Sequence, residues 1–196
     1  MVFRVNKYAA HTERFCIWNE AFNTDEVEKI LFLEKIIEFQ NGKVWSAVTS
    51  TESSARKSKV SFLMPNDNTI WIFERFAAII PKINYDHFLY NIDDIETIQY
   101  TIYSDDNEHY DWHVDTFPDY SDYTRKISAT MMLSDPSEYE GGELEVIMNG
   151  RMTDNKFKEP KGNIVFFDSM FPHKVHPVTS GVRKSLVLWI GGKRES

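Results

Sequence analysis

The stretch Tyr110-Asp111-Trp112-His113-Val114-Asp115 decides how the rest of this chain is read. In extended backbone, side chains at i and i+2 project from one face. His113 and Asp115 therefore offer an imidazole and a carboxylate to one cation from one short piece of strand. A further ligand must come from elsewhere, and Pro172-His173-Lys174-Val175-His176-Pro177 supplies two candidates. His173 is favoured because it closely follows the apolar run 164–168, so a rigid strand can place it. Pro177 restricts the backbone of His176. Two histidines and one carboxylate are the set that holds non-haem Fe(II) while leaving coordination positions open. Arg183 stands ten residues after His173. An open iron face with a fixed cation suits a bidentate 2-oxo acid carrying a second carboxylate, so the chain reads as an oxygenase.

Around this stretch the sequence is strand-like. Short β-rich runs at 97–103, 126–133, 143–148, 163–167 and 185–190 alternate with turn signals such as Asp135-Pro136, Gly141-Gly142 and Gly191-Gly192. Asn149-Gly150 is a strong hairpin signal. Many short strands with such punctuation indicate a sandwich or barrel. Before residue 92 the pattern is helical. Residues 23–39 read as a helix with Asn23 as cap, Glu26 at the capping-box position and Asn41-Gly42 as the stop. Residues 66–80 read as a second helix, opened near Pro65 and closed at Pro81. Between them, 49–61 is polar and contains Arg56, Lys57 and Lys59. It is expected to be a loop, with 56–59 a candidate lid over the site.

Composition narrows the class. The chain has 196 residues, 42% hydrophobic and 14% aromatic, enough for one domain with a sizeable core. The expectation is one domain over 1–196, with a helical flank at 1–91 and a β core at 92–192. A net charge of -8 argues against a general nucleic-acid or anionic-membrane surface, since both need clustered Lys and Arg. One cysteine, Cys16, excludes an intrachain disulfide and a C-x-x-C metal site. Residues 1–10 hold no apolar signal core, and no apolar run approaches the roughly 20 residues a membrane helix needs. A cytoplasmic setting is expected.

With those residues in place, 95–190 resembles the 2-oxoglutarate- and Fe(II)-dependent oxygenases, in the prolyl 4-hydroxylase-like branch and its PKHD-type hydroxylases. The matching stretches are Tyr103 with 110–115, then Ser128-Ala129-Thr130-Met131-Met132-Leu133-Ser134, then Glu138-Tyr139-Glu140-Gly141-Gly142-Glu143-Leu144, and 173–183 from His173 to Arg183. The amino-terminal third is not obviously part of the match. The resemblance implies a mainly β fold, a double-stranded β-helix (jelly-roll, cupin-like) with amino-terminal helices packed outside. It implies iron on His113, Asp115 and His173, and 2-oxoglutarate with its distal carboxylate on Arg183. It further implies cosubstrate contacts from Tyr103, Trp189 and Thr179, O2 as co-reactant, and ascorbate as a reductant in many members. The implied reaction hydroxylates a C–H bond, of a prolyl residue in a peptide or protein or of an amino acid, and releases succinate and CO2. Asp115 favours hydroxylation, because related halogenases lack that carboxylate.

Other readings account for less of the pattern. A zinc hydrolase also uses two histidines and a carboxylate, but leaves Arg183 unexplained. A module that binds a metal or small acid without turnover needs no open metal positions. His109 precedes His113 by four but lies in a loop, and His11 and His87 read as ordinary surface or core residues. Residues 104–112 and 116–125 are rich in Asp, Tyr, Phe and Trp and suit an extended peptide carrying positive charge. Solvated loops would have the same composition.

Overall fold

The computed structural model describes residues 14–45, 50–51, 53–116, 122–148 and 156–194. In chain order the amino-terminal elements are β1 (Phe15–Trp18), α1 (Thr24–Phe32), β2 (Gln40–Asn41), β3 (Val44–Trp45), β4 (Ser50–Thr51), β5 (Arg56–Lys57), β6 (Lys59–Leu63) and α2 (Ile70–Ile83). There follow β7 (Asp94–Ile95), β8 (Ile98–Ser104), β9 (His109–His113), β10 (Tyr123–Met132), β11 (Tyr139–Gly141) and β12 (Leu144–Val146). The chain closes with β13 (Lys156–Phe157), β14 (Ile164–Asp168), β15 (His173–Val175) and β16 (Val178–Lys193).

Two sheets form the body. The larger runs β1-β14-β10-β16-β8-β6-β2, and the smaller runs β13-β12-β15-β9-β5. Strand alternation sorts the side chains of the larger sheet. On β8, β10 and β16, residues Tyr100, Ile127, Ala129, Met131, Leu186, Leu188 and Ile190 pack in one core with Ile72, Phe76, Ile79 and Ile83 of α2 and with Val27 and Ile30 of α1. The alternate positions, among them Tyr103 and Met132, pack in a second core with Leu144, Val146 and Val175 of the smaller sheet. The helices thus cover the outside and the inner faces enclose the site. This is a double-stranded β-helix.

The expected strands are present, and β16 is much longer than the run 185–190. It pairs with β11, β10, β8 and β7 along its length. The Asn149-Gly150 hairpin lies outside the described residues. Among the described residues no helix is long and apolar enough to cross a membrane.

Three local expectations are corrected. The capping box at Asn23 is formed, with Asn23 Oδ1 accepting from Glu26 N at 2.9 Å and Glu26 Oε2 accepting from Asn23 N at 2.8 Å. The helix it opens nevertheless ends in a 3₁₀ turn, Leu33–Lys35, well before residue 39. Residues 40–41 are drawn into pairing with β6, which overrides local helical preference. Gly42 is therefore a turn after a strand, and a Cβ there would lie 2.3 Å from Ser58 Oγ.

The second helix runs through Pro81 to Ile83, then into a π-helical turn at Asn84–Phe88. Proline removes the bond to the carbonyl four residues back. Here that residue, Ala77, is exposed, so water can serve its carbonyl. The described residues of the polar segment 49–61, namely 50–51 and 53–61, are not a free loop. Arg56 and Lys57 pair with Tyr110 and His109, and β6 pairs with β8. Residues 56–59 are wall rather than lid, because their main chain is committed to both sheets.

Candidate metal centre

The pairing of β15 with β9 sets His173 directly opposite His113. Asp115 lies just beyond β9, where its N–H donates to the Ser169 carbonyl at 3.0 Å. One ligand atom from each of His113, Asp115 and His173 lies within 4.8 Å of the other two. His113 Nε2 is 3.7 Å from Asp115 Oδ1, and His173 Nε2 is 3.4 Å from Asp115 Oδ2.

The histidine tautomers follow from their partners. His113 Nδ1 sits 2.7 Å from the Asp111 carbonyl, and His173 Nδ1 sits 2.9 Å from the Phe171 carbonyl. A carbonyl only accepts, so both Nδ1 atoms carry protons and both Nε2 atoms present lone pairs. Tyr110 stacks on His113 with ring centroids 3.6 Å apart, and Phe167 meets His173 edge-on at 4.7 Å. The rings are held from their sides and backs.

Electrostatics agree with a cation-binding set. Burial, reinforced by the neighbouring His173, pushes His113 down to about 3, so it is neutral at physiological pH. Burial alone would raise Asp115. His173, His113 and the Ser128 hydroxyl outweigh it and hold the carboxyl well below its usual range. His173 is raised despite its burial, because Asp115 stabilises its charged form. A divalent cation would replace that proton.

A cavity of about 470 Å³ adjoins these ligands, lined by Tyr103, Tyr110, Thr130, Leu144, Phe167, Val175, Val187 and Trp189. Its mouth includes Gln40, Lys43, Arg56, Glu96 and Arg125. Arg183 lies just beyond the lining, its guanidinium carbon 5.6 Å from the Tyr103 ring centroid. It is 1% exposed. Nη1 donates to Ser185 Oγ at 3.1 Å and Nη2 meets Met132 Sδ at 3.6 Å, while Nε has no hydrogen-bond partner among the described residues. No described carboxylate lies within ion-pair distance of it. A buried guanidinium without a counter-charge is costly, and a ligand carboxylate would relieve that cost.

Gly142 makes room for it. At φ +66 this residue favours glycine, and a Cβ would lie 3.1 Å from Arg183 Cδ and 2.9 Å from Val178 Cγ2.

Of the residues singled out in the sequence, His113, Asp115, His173, Tyr103 and Trp189 reach the cavity, and Arg183 adjoins it. His176 does not join them. Its Nε2 bonds the Glu145 carboxylate at 2.5 Å. Thr179 sits exposed at the start of β16, outside the cavity lining, so its expected cosubstrate contact has no support from its position. The sequence points to no site role for Ser128 or Glu96, to Tyr110 and Arg125 only within the candidate peptide-binding segments, and to Arg56 only within a candidate lid. Arg125 grips Glu96 at 2.7 Å and lies 3.9 Å over the Trp189 ring. Tyr110 could have been found, since it stands three residues before His113. Arg56 stands in the wall and not in a lid, because the pairing of β5 with β9 fixes it there.

The chain is similar to known proteins in sequence and in fold. Residues 98–191 match the family described as the 2OG-Fe(II) oxygenase superfamily. A PKHD-type hydroxylase of Nitrosomonas europaea, NE2125, is 41% identical over 93 residues, covering 45% of this chain and 40% of that protein. The PKHD-type hydroxylase YbiX of Shigella sonnei is 40% identical over 88 residues, covering 43% and 38%. The chain thus spans about two fifths of the length of these curated relatives. Among solved structures, a Trichoplax adhaerens prolyl hydroxylase in complex with a hypoxia-inducible-factor peptide fragment superposes with a TM-score of 0.73 at 20% identity, covering 92% of this chain and 84% of that one. A Pseudomonas putida prolyl-4-hydroxylase gives a TM-score of 0.68 at 20% identity, covering 95% of each. These superpositions establish the fold.

Proposed function

We propose, on the match of residues 98–191 to the 2OG-Fe(II) oxygenase superfamily, that this chain is an Fe(II)- and 2-oxoglutarate-dependent hydroxylase acting in the cytoplasm. One observation carries the reading: the cluster His113, Asp115 and His173 adjoins a buried Arg183 that lacks a counter-charge among the described residues. The donor set fits Fe(II). It has two imidazole nitrogens with fixed tautomers, one carboxylate and no thiolate.

His113, Asp115 and His173 hold the metal. Arg183 binds the distal carboxylate of 2-oxoglutarate through its planar fork of donors. Tyr103, buried beneath that guanidinium, and Trp189 line the cosubstrate's path. Burial keeps the Tyr103 phenol protonated, so it donates a hydrogen bond instead of repelling the ligand's charge. Leu144, Phe167, Val175 and Val187 keep water from the reacting centre. The bound metal and cosubstrate supply the oxidation itself, in which 2-oxoglutarate and O2 become succinate and CO2 while a substrate C–H becomes C–OH. Ascorbate serves as a reductant that keeps the iron ferrous between turnovers.

The substrate class follows the likeness to prolyl hydroxylases: a prolyl residue in a peptide or protein, or an amino acid. The cavity edge carries the polar side chains of Lys43, Arg56, Glu96 and Arg125, which suit the main chain of an extended peptide.

Anaerobic titration of apo-protein with Fe(II) and 2-oxoglutarate tests this. The expected result is the weak visible charge-transfer band of a chelated complex, lost in Arg183→Ala and His173→Ala and kept in His176→Ala. No band, with tight zinc retention instead, would overturn it in favour of a hydrolase or a binding module.

A further inference from the structure

Asp115 lies past the end of β9, so no ladder of strand hydrogen bonds orients its side chain. Two serines do so. Ser128 Oγ donates to Asp115 Oδ2 at 2.7 Å, and Ser128 Oγ is 2.9 Å from Ser169 Oγ. Both serines are fully buried. Ser169 also accepts the Asp115 main-chain N–H through its carbonyl.

The proton count fixes the direction of this chain. An ionised carboxylate only accepts, so the single hydroxyl proton of Ser128 is committed to Asp115. The proton between the two serine oxygens must then come from Ser169. Donation runs from Ser169 to Ser128 to Asp115, and each bond polarises the next. Asp115 Oδ1 accepts no hydrogen bond among the described residues and faces His113 Nε2 at 3.7 Å, while Oδ2, which accepts from Ser128, faces His173 Nε2 at 3.4 Å.

We infer that Ser128, backed by Ser169, is a positioning residue that fixes the rotation of the Asp115 carboxylate, so that its oxygens stay turned toward the nitrogens of His113 and His173. The inference rests on the metal centre proposed above. A carboxylate left free to rotate would lose that alignment, and the three-residue set would hold a cation less tightly. The two serines come from β10 and from the turn after β14, so the arrangement is a product of the β10–β14 pairing.

The test is an anaerobic titration of apo-protein with Co(II) alone, followed by its visible d–d bands, with apo thermal midpoints recorded for each variant. Ser128→Ala should bind Co(II) about 10- to 100-fold more weakly, the range typical when a partner behind a metal ligand is lost, with an altered band shape. Ser128→Thr restores a hydroxyl and should bind within about threefold of wild type. Ser169→Ala keeps the bond to Asp115 but removes its backing, and should weaken binding by several-fold.

Wild-type affinity and band shape in Ser128→Ala would overturn the inference. So would Ser128→Thr binding as weakly as the alanine variant at an unchanged apo thermal midpoint, since packing rather than the hydroxyl would then matter. If Ser128→Ala does not fold, Ser169→Ala decides, and wild-type affinity there overturns it. Asp115→Ala separates the two levels. If that variant binds Co(II) as wild type does, the metal centre itself falls, and the serine role with it.

Discussion

His113 and His173 face each other across the antiparallel pairing of β9 with β15, their ring centroids 4.1 Å apart. Sixty residues of chain separate them, yet they are nearest neighbours in register. Each is tied by Nδ1 to the carbonyl two residues before it. The same local device, used twice on paired strands, turns both Nε2 atoms toward one point.

This relationship distinguishes His173 from His176. His173→Ala should lower Co(II) or Fe(II) affinity by at least about 100-fold, as expected for a ligand whose loss exceeds that of an outer partner. His176→Ala should leave it within about threefold, because His176 is engaged with Glu145. Equal losses in the two variants, measured by anaerobic titration, would refute the assignment.

Arg183 is predicted to trade stability for binding. Replacing a buried guanidinium that has no counter-charge among the described residues with an apolar chain of similar length removes a desolvation cost. Arg183→Met should therefore raise the apo-protein's unfolding free energy by about 1–2 kcal/mol, while 2-oxoglutarate affinity drops by at least about 30-fold. Denaturant unfolding with and without 2-oxoglutarate checks both halves. A destabilised apo variant would mean that Arg183 already has its counter-charge within the chain.

Gly142→Ala should damage the same pocket from behind. The positive φ costs about 1 kcal/mol for alanine, and the contact with Arg183 Cδ adds to it. A total loss of about 1–3 kcal/mol in stability is expected, together with weaker 2-oxoglutarate binding. A variant with unchanged thermal midpoint and unchanged ligand affinity would contradict the close approach.

Cys16 gives a pH dependence with a definite sign. Burial, with a smaller contribution from Asp86, pushes its thiol up to about 12 from an ordinary value of 9. A folded-state pKa above the unfolded one means that the stabilisation is intact below pH 9. It is lost progressively as pH rises toward 12, where the unfolded thiol ionises and the folded one does not. Alkylation by iodoacetamide at pH 8 should be slow in the native protein and fast in denaturant. Several buried tyrosines shift the same way, so the thiol's share is the difference between wild type and Cys16→Ala in unfolding across pH 8–11. Identical pH profiles for the two would exclude it.

Much of the site was legible because its chemistry is written in local order. His113 and Asp115 are two residues apart, His173 follows an apolar strand, and Gly141-Gly142 mark a turn that only small residues permit. The misreadings fell where a distant partner overruled local preference. Residues 36–39 left the helix to lead into a sheet edge at 40–41, Pro81 sat inside a helix on its exposed side, and 56–57 and 59–63 became strands because β9 and β8 were there to pair with them.

The sequence alone determined which atoms are on offer: two imidazoles, a carboxylate and a guanidinium, on strands with a fixed hydrophobic period. Tertiary structure alone decided which of them meet. Strand register put His173, not His176, opposite His113, and the β10–β14 pairing brought Ser128 and Ser169 behind Asp115. Burial without a counter-charge among the described residues leaves Arg183 poised for a ligand carboxylate. Register and burial depend on contacts between residues tens of positions apart, and those contacts exist only once the sheets have closed.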